Sequence, residues 1–384
     1  MATSFLNGDY SQVLPIVSSF FTVKDFQRNA QEDNVEFLIA ESEVKDKFPL
    51  LLRELDKLGM VAAAKRSKYV SRLMPTLSTM RFSVDNGVVL TVGRMPRQKP
   101  ASKFRQSLPA IFFAATVAMV FVNGVFRSED PLATAQLHDP ILMAAIYTVS
   151  LMGILGIHEL GHMLANKKYG IKASWPYFIP GFPWGLPTFG ALIVLRNNMT
   201  NRNVMFDVGI AGPIAGLIVT VIVSIYGSTI STIITAEQAE RIENLGPLPF
   251  GESLLMVATI HLTGMAVDGM VLVASPVLFA AWFGFMITFL NLLPAWQLDG
   301  GHLARSALGV RWHRILTYAS IAILLVLGLY PMALLVLFFS MRAPESAPLD
   351  DITPLSAKRK ALFFVALGIA IACAPIPETL TPWD

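Results

Sequence analysis

Apolar and polar positions divide this chain into two stretches of different rhythm. Over the first 98 residues the apolar positions come in short groups. Residues 35–40 read as a strand, and Val44, Phe48, Leu51, Leu52, Leu55 and Leu58 recur at helical intervals, with Ser42 as N-cap and Gly59 as stop. Residues 80–84 and 88–92 flank Asp85, Asn86 and Gly87, a hairpin signal. The pattern predicts a small soluble α+β domain over 1–98 and a basic linker over 99–107. Beyond it the apolar runs lengthen. A helix needs roughly 20 apolar residues to cross a bilayer, and spans are expected at 108–125, 140–165, 204–226 and 270–293. A further run over 316–341 is broken at Gly328 to Pro331, and a last one covers 361–374. Six or seven spans follow in total.

Residues 175–197 break this rhythm. Pro176, Pro180, Pro183 and Pro187, among aromatic residues, exclude a plain helix, and residues 190–195 favour a strand. A β-hairpin dipping into the membrane edge is expected. Its backbone is tolerable there only under a cover of protein or water.

Composition fixes the class. The chain is 54% hydrophobic and 15% charged, where a soluble domain carries about 25% charged residues. Mean hydropathy is +0.55. The fold class is therefore a polytopic α-helical membrane protein, integral and multi-pass, with the lipid bilayer as partner; nothing identifies which membrane. The net charge of +3 gathers at the ends of apolar runs, which speaks to topology and not to nucleic acid. Lys167, Lys168 and Lys172 after the second span, with the basic linker, place the N-terminal domain in the cytoplasm. A cleavable signal peptide is not expected, because residues 1–30 mix Asp9, Lys24, Asp25 and Arg28 with short apolar pieces. The single cysteine, Cys373, excludes cysteine-based zinc sites.

The chemistry concentrates in His158-Glu159-Leu160-Gly161-His162, at the end of an uncharged apolar run. On a helix, positions i and i+4 share a face, so both imidazoles can grip one zinc ion. Glu159 can then serve as general base toward the activated water. Ionisable groups at membrane depth are expensive and are functional by default. Catalytic zinc takes three protein ligands and keeps one position open. The best third candidate is Asp299, in Leu298-Asp299-Gly300-Gly301, on the same membrane side as the histidines by the span count. Pro294 breaks the preceding helix, and Gly300 and Gly301 let the backbone bend past the ligand.

These phrases resemble the site-2 protease family of intramembrane zinc metalloproteases, in its prokaryotic and plastid-type branch with a soluble N-terminal domain. The resemblance rests on HELGH in an apolar helix, Trp175-Pro176-Tyr177-Phe178-Ile179-Pro180, Ala211-Gly212-Pro213-Ile214-Ala215-Gly216, Asn291-Leu292-Leu293-Pro294 and Leu298-Asp299-Gly300-Gly301-His302. It implies a metalloprotease domain over 108–384, with a three-helix catalytic core within about 140–305. It implies one Zn2+ per chain on His158, His162 and Asp299, and Glu159 as base. Asn291 would help hold substrate or the oxyanion. Transmembrane or signal-peptide-like proteins would be the substrates, and Gly190, Ala191, Leu192 and Ile193 could pair with an unwound substrate segment. The oligomeric state is unread.

Blander roles compete at single positions. Asn291 could cap a broken helix, Gly212 and Gly216 could serve helix packing alone, and His302 could be interfacial. His138, His261 and His313 read as solvated. The competing function is a catalytically silent zinc-holding scaffold or chaperone, against which the intact Glu159 argues. A prenyl-protein peptidase would need a glutamate as third ligand, where this chain carries the L-D-G segment.

Overall fold

The structure is a computed structural model, and it describes residues 8–29, 32–66, 87–95, 103–129, 132, 134, 138–240, 251–342 and 346–376. The chain forms two compact units. One gathers Met1–Pro100, Asn198–Met205 and Ala347–Ser356; the other holds Ala101–Asn197, Phe206–Ser346 and Ala357–Asp384.

The first unit contains α1 (Val13–Phe20), β1 (Val23–Asn29), β2 (Asn34–Ile39), α2 (Phe48–Lys57), β3 (Met60–Arg66) and β4 (Val88–Arg94). The strands make an antiparallel sheet in the order β1-β2-β4-β3. Its core joins Val35, Phe37, Ile39, Leu90 and Val92 to the helical Phe48, Leu51 and Leu55. The expected strand at 35–40 is β2. The expected helix starts at Phe48, well after Ser42, because Pro49 fits the first turn and Lys47 occupies the cap position. Gly59, at φ +68°, ends it as expected. The first arm of the expected hairpin, 80–84, with Asp85 and Asn86, lies outside the described residues. Its second arm, β4, pairs with β2 and β3.

Two distant segments enlarge this sheet. Ala64 donates its N–H to the Leu349 carbonyl (2.7 Å), and Asp351 returns a bond to the Ala64 carbonyl (3.3 Å). Leu349 and Asp350 donate in turn to the Met199 and Thr200 carbonyls, at 2.9 and 2.8 Å. The buried Asp350 carboxylate accepts from the Ile352 and Thr353 N–H groups, both at 3.0 Å. Arg202 closes the segment with a 3.1 Å bond from Nε to Asp351.

The second unit is mainly helical. It comprises α3 (Lys103–Arg127), α4 (Pro140–Lys168), β5 (Tyr177–Pro180), β6 (Thr188–Leu192) and most of α5 (Arg202–Thr229). Then follow β7 (Thr232–Thr235), α6 (Ala236–Glu240), α7 (Leu254–Leu262), β8 (Met270–Val273), α8 (Pro276–Leu292), α9 (Asp299–Val326), α10 (Tyr330–Arg342) and α11 (Ala357–Cys373). Among the described residues, Phe104–Arg127, Pro140–Lys168 and Arg202–Thr229 are long and apolar enough to cross a membrane; α8 and α10 are shorter apolar helices.

Helix α8 is the centre of the apolar core. It packs against α4 and α11 and buries nearly every residue. The expected span at 270–293 starts late. Met270–Val273 pairs with β7 as a strand, and Ser275 caps α8 by accepting from the Leu278 N–H, with Pro276 in the first turn. An unbroken apolar run carries no period that would separate strand from helix. The 316–341 run is two helices, parted near Gly328 at φ +75°. Helix α9 also has an interruption, at Gly309 (φ +79°).

The expected hairpin exists, but β6 covers Thr188–Leu192, so Ile193 lies beyond it. Its pairing is Tyr177 with Leu192, Phe178 with Ala191 and Pro180 with Thr188, with an irregularity after Phe178. Helix α3 holds it: Thr116 Oγ1 donates to the Phe178 carbonyl (3.2 Å) and Asn123 Nδ2 to the Pro183 carbonyl (2.6 Å). Asn123 Oδ1 accepts from the Tyr147 hydroxyl (2.7 Å) and Arg127 Nε (3.1 Å). The Arg127 guanidinium lies over the Phe279 ring. This buried network answers the demand that polar groups among apolar helices find partners.

Candidate metal centre

One turn of α4 sets the geometry. His158 and His162 are both buried, and their Nε2 atoms are 3.2 Å apart. His162 Nδ1 donates to the Val208 carbonyl of α5 at 2.8 Å. A carbonyl can only accept, so the Nδ1–H tautomer is fixed and the Nε2 lone pair is left for a metal.

Helix α5 reaches these rings through missing side chains. A Cβ at Gly212 would stand 2.1 Å from His162 Nε2, and one at Gly216 would stand 3.1 Å from His158 Nδ1. Gly161 on α4 faces the Ala211 carbonyl in the same way, at 2.5 Å. The packing expected of Gly212 and Gly216 is therefore packing against the imidazoles themselves.

Asp299 arrives from the end of the core helix. After α8 stops at Leu292, a bend over 293–298 leads into α9, of which Asp299 is the first residue. Gly300 and Gly301 lie against the carbonyls of Leu292, Leu293, Ala295 and Trp296, where a Cβ would come within 2.1 to 2.5 Å of carbonyl oxygens. The bend expected at these glycines thus works by close backbone approach. It puts Asp299 Oδ2 3.2 Å from His162 Nε2 and 3.4 Å from His158 Nε2.

His158, His162 and Asp299 form a group able to hold a metal ion. Ligands on a tetrahedral zinc, about 2.0–2.1 Å from the ion, lie about 3.4 Å from one another. The three separations match that spacing, and two imidazoles with one carboxylate are a common catalytic zinc set. The residues fit the ion.

Around this triangle stand the other expected residues. Glu159 is buried and interacts electrostatically with His158, His162 and Asp299, without belonging to the convergent group. Asn291, in the last turn of α8, brings Nδ2 within 3.4 Å of His158 Nε2. Gly190, Ala191 and Leu192 lie on β6, with Gly190 at φ +87°. His302 is only partly exposed, and its buried Nδ1 has no partner among the described residues.

Residues 146–335 match the model of Peptidase family M50. The chain belongs to that family. M50 is the family of the site-2 proteases, which the motifs resemble. The chain is 28% identical over 346 residues to "Probable zinc metalloprotease EGY1, chloroplastic" of Arabidopsis thaliana, covering 88% of this chain and 57% of that protein. It is 30% identical over 294 residues to "Probable zinc metalloprotease EGY2, chloroplastic" of the same plant, covering 72% and 50%. The rice (Oryza sativa subsp. japonica) EGY1 protein of the same description is 30% identical over 348 residues, covering 88% and 54%. The chain thus spans about half the length of the curated relatives it matches. No solved structure matches it.

One expectation is corrected. His313 is buried, not solvated, and bonds to the Trp296 carbonyl through Nε2 at 2.9 Å. Asp207 forms a two-point ion pair with Arg359, both bonds at 2.6 Å, and accepts from the Tyr169 hydroxyl, so its partners are polar groups at neighbouring helices. Sequence reasoning passed over Asn123, although a lone amide inside an apolar run is itself a signal.

Proposed function

We propose that the chain is a zinc metalloendopeptidase that cuts peptide bonds within or near transmembrane segments of other membrane proteins. The observation that carries this reading is the convergence of His158, His162 and Asp299 on one point, beside a buried Glu159, at the end of an apolar helix. The relatives' description as zinc metalloproteases supports the same chemistry.

His158, His162 and Asp299 would hold the ion. Zinc in such a site supplies a Lewis acid for the scissile carbonyl and lowers the pKa of bound water. The chain's own residues do the rest. Glu159 accepts the proton of the attacking water and passes it to the departing amide nitrogen. The bond from Nδ1 to the Val208 carbonyl holds the His162 ring in orientation. Asn291 stands at the rim, able to donate to a carbonyl oxygen that gains charge. A substrate helix must unwind first, because its carbonyls are bonded internally. The β6 strand, paired on one side with β5, offers an edge for that segment. Six or seven spans and a cytoplasmic N-terminal domain belong to the same reading.

The experiment is cleavage of single-span test proteins by the purified chain in bilayers, with zinc content measured in parallel. Glu159→Gln is expected to keep zinc and lose cleavage by at least about a hundredfold. A native chain that binds zinc without cutting, unchanged by the substitution, would leave the scaffold reading standing.

A further inference from the structure

The bend that delivers Asp299 is held from outside. Trp296, three residues before the ligand, sits at φ +44°, in the left-handed region that bulky residues rarely adopt. Its indole stacks on Phe339 with ring centroids 5.1 Å apart, but the buried indole N–H has no partner among the described residues. The ring is therefore positioned by stacking and not by a hydrogen bond of its own.

The Trp296 backbone, in contrast, is bonded on both sides. Its N–H donates to Thr317 Oγ1 at 3.0 Å, and its carbonyl accepts from His313 Nε2 at 2.9 Å. His313 and Thr317 are one helical turn apart on α9, beyond the Gly309 interruption, and both are buried. Thr317 Oγ1 in turn donates to the His313 carbonyl at 2.9 Å, so its lone pairs are left to face the Trp296 N–H. Gly300 and Gly301 in turn lie against the carbonyls of Leu292, Leu293, Ala295 and Trp296. The segment has no room to relax toward α9's first turn, and two side chains hold it from the second half of the same helix.

We propose that His313 and Thr317 are positioning residues for Asp299: they lock Trp296 in its left-handed turn and so place the carboxylate beside the two imidazoles. This rests on the reading of Asp299 as the third zinc ligand. Neither residue belongs to the convergent group of His158, His162 and Asp299. Their effect passes through the bend, as partners behind a ligand tune metal affinity without binding the metal.

The test measures zinc dissociation constants of the purified full chain by chelator competition, beside the thermal midpoint of the metal-free protein. Variants are Thr317→Val, Thr317→Ser, His313→Leu and His313→Gln, with Asp299→Ala as reference. Valine keeps the threonine shape without the acceptor, and glutamine can restore an N–H near the histidine Nε2. Thr317→Val and His313→Leu are expected to weaken zinc binding about 10- to 100-fold, with Thr317→Ser and His313→Gln recovering most of the loss. A purely structural role would instead lower the metal-free midpoint and leave zinc affinity alone, and that result overturns the proposal. If Asp299→Ala itself binds zinc like the native chain, the ligand reading fails first. If Asp299→Ala weakens binding while Thr317→Val and His313→Leu do not, the positioning role alone is refuted.

Discussion

Gly212 shows how closely single residues fix the centre. Its absent side chain is the space occupied by the His162 ring, and an added methyl would stand 2.1 Å from Nε2. Gly212→Ala must displace the ring or part α4 from α5. Zinc affinity is expected to fall by more than about tenfold, with a smaller loss for Gly216→Ala, whose contact to the His158 ring is 3.1 Å. Chelator competition on the two variants checks this ordering; equal, native-like affinities would contradict it. At this scale the sequence was most informative. The two histidines needed only helical spacing, and Asp299 needed a break and two glycines. His313 was illegible for a physical reason: one histidine in a mixed apolar stretch gives no sign of burial, which depends on a bend 17 positions away.

Elements were read less evenly. The long apolar helices announced themselves by length, and the proline-rich stretch by exclusion. The strand at Met270–Val273 merged with the following helix, because four apolar residues continue an apolar run in either conformation. Strands β1 and β3 were missed; β1 is largely polar and β3 carries three alanines, so neither shows the β-branched alternation that marks a strand. The hairpin is the element with most at stake. Thr116 of α3 bonds its β5 strand and Asn123 bonds the connection between the strands, which fixes where β6 is presented. Proline placed in turn through Thr188–Leu192 removes an N–H at each step. At a position where that N–H meets substrate, cleavage of single-span proteins is expected to drop more than about tenfold with zinc content unchanged. Native cleavage throughout the scan would remove β6 from the substrate path.

Over the whole molecule, contiguity in sequence is a poor guide to contiguity in space. The N-terminal sheet borrows residues 349–351 and 199–201, so its last edge is supplied from far along the chain. Three-residue segments rich in polar side chains have no period to read, and their pairing was invisible beforehand. Asp350 anchors the arrangement by accepting two backbone N–H groups while buried. Asp350→Ala leaves those donors unpaired, and about 1–3 kcal/mol of stability is expected to be lost. Chemical denaturation followed by a probe in the N-terminal unit measures it; a change within error would mean that the strap contributes little.

The helical unit brings two distant stretches of the sequence to one point able to hold an ion. X-ray absorption at the zinc edge, on the zinc-loaded native chain beside Asp299→Ala, tests that most directly. Two imidazoles and carboxylate oxygen are expected around the metal at about 2.0–2.2 Å, with an oxygen ligand lost or replaced in the variant. An unchanged spectrum in Asp299→Ala, or a shell without imidazole, would contradict it.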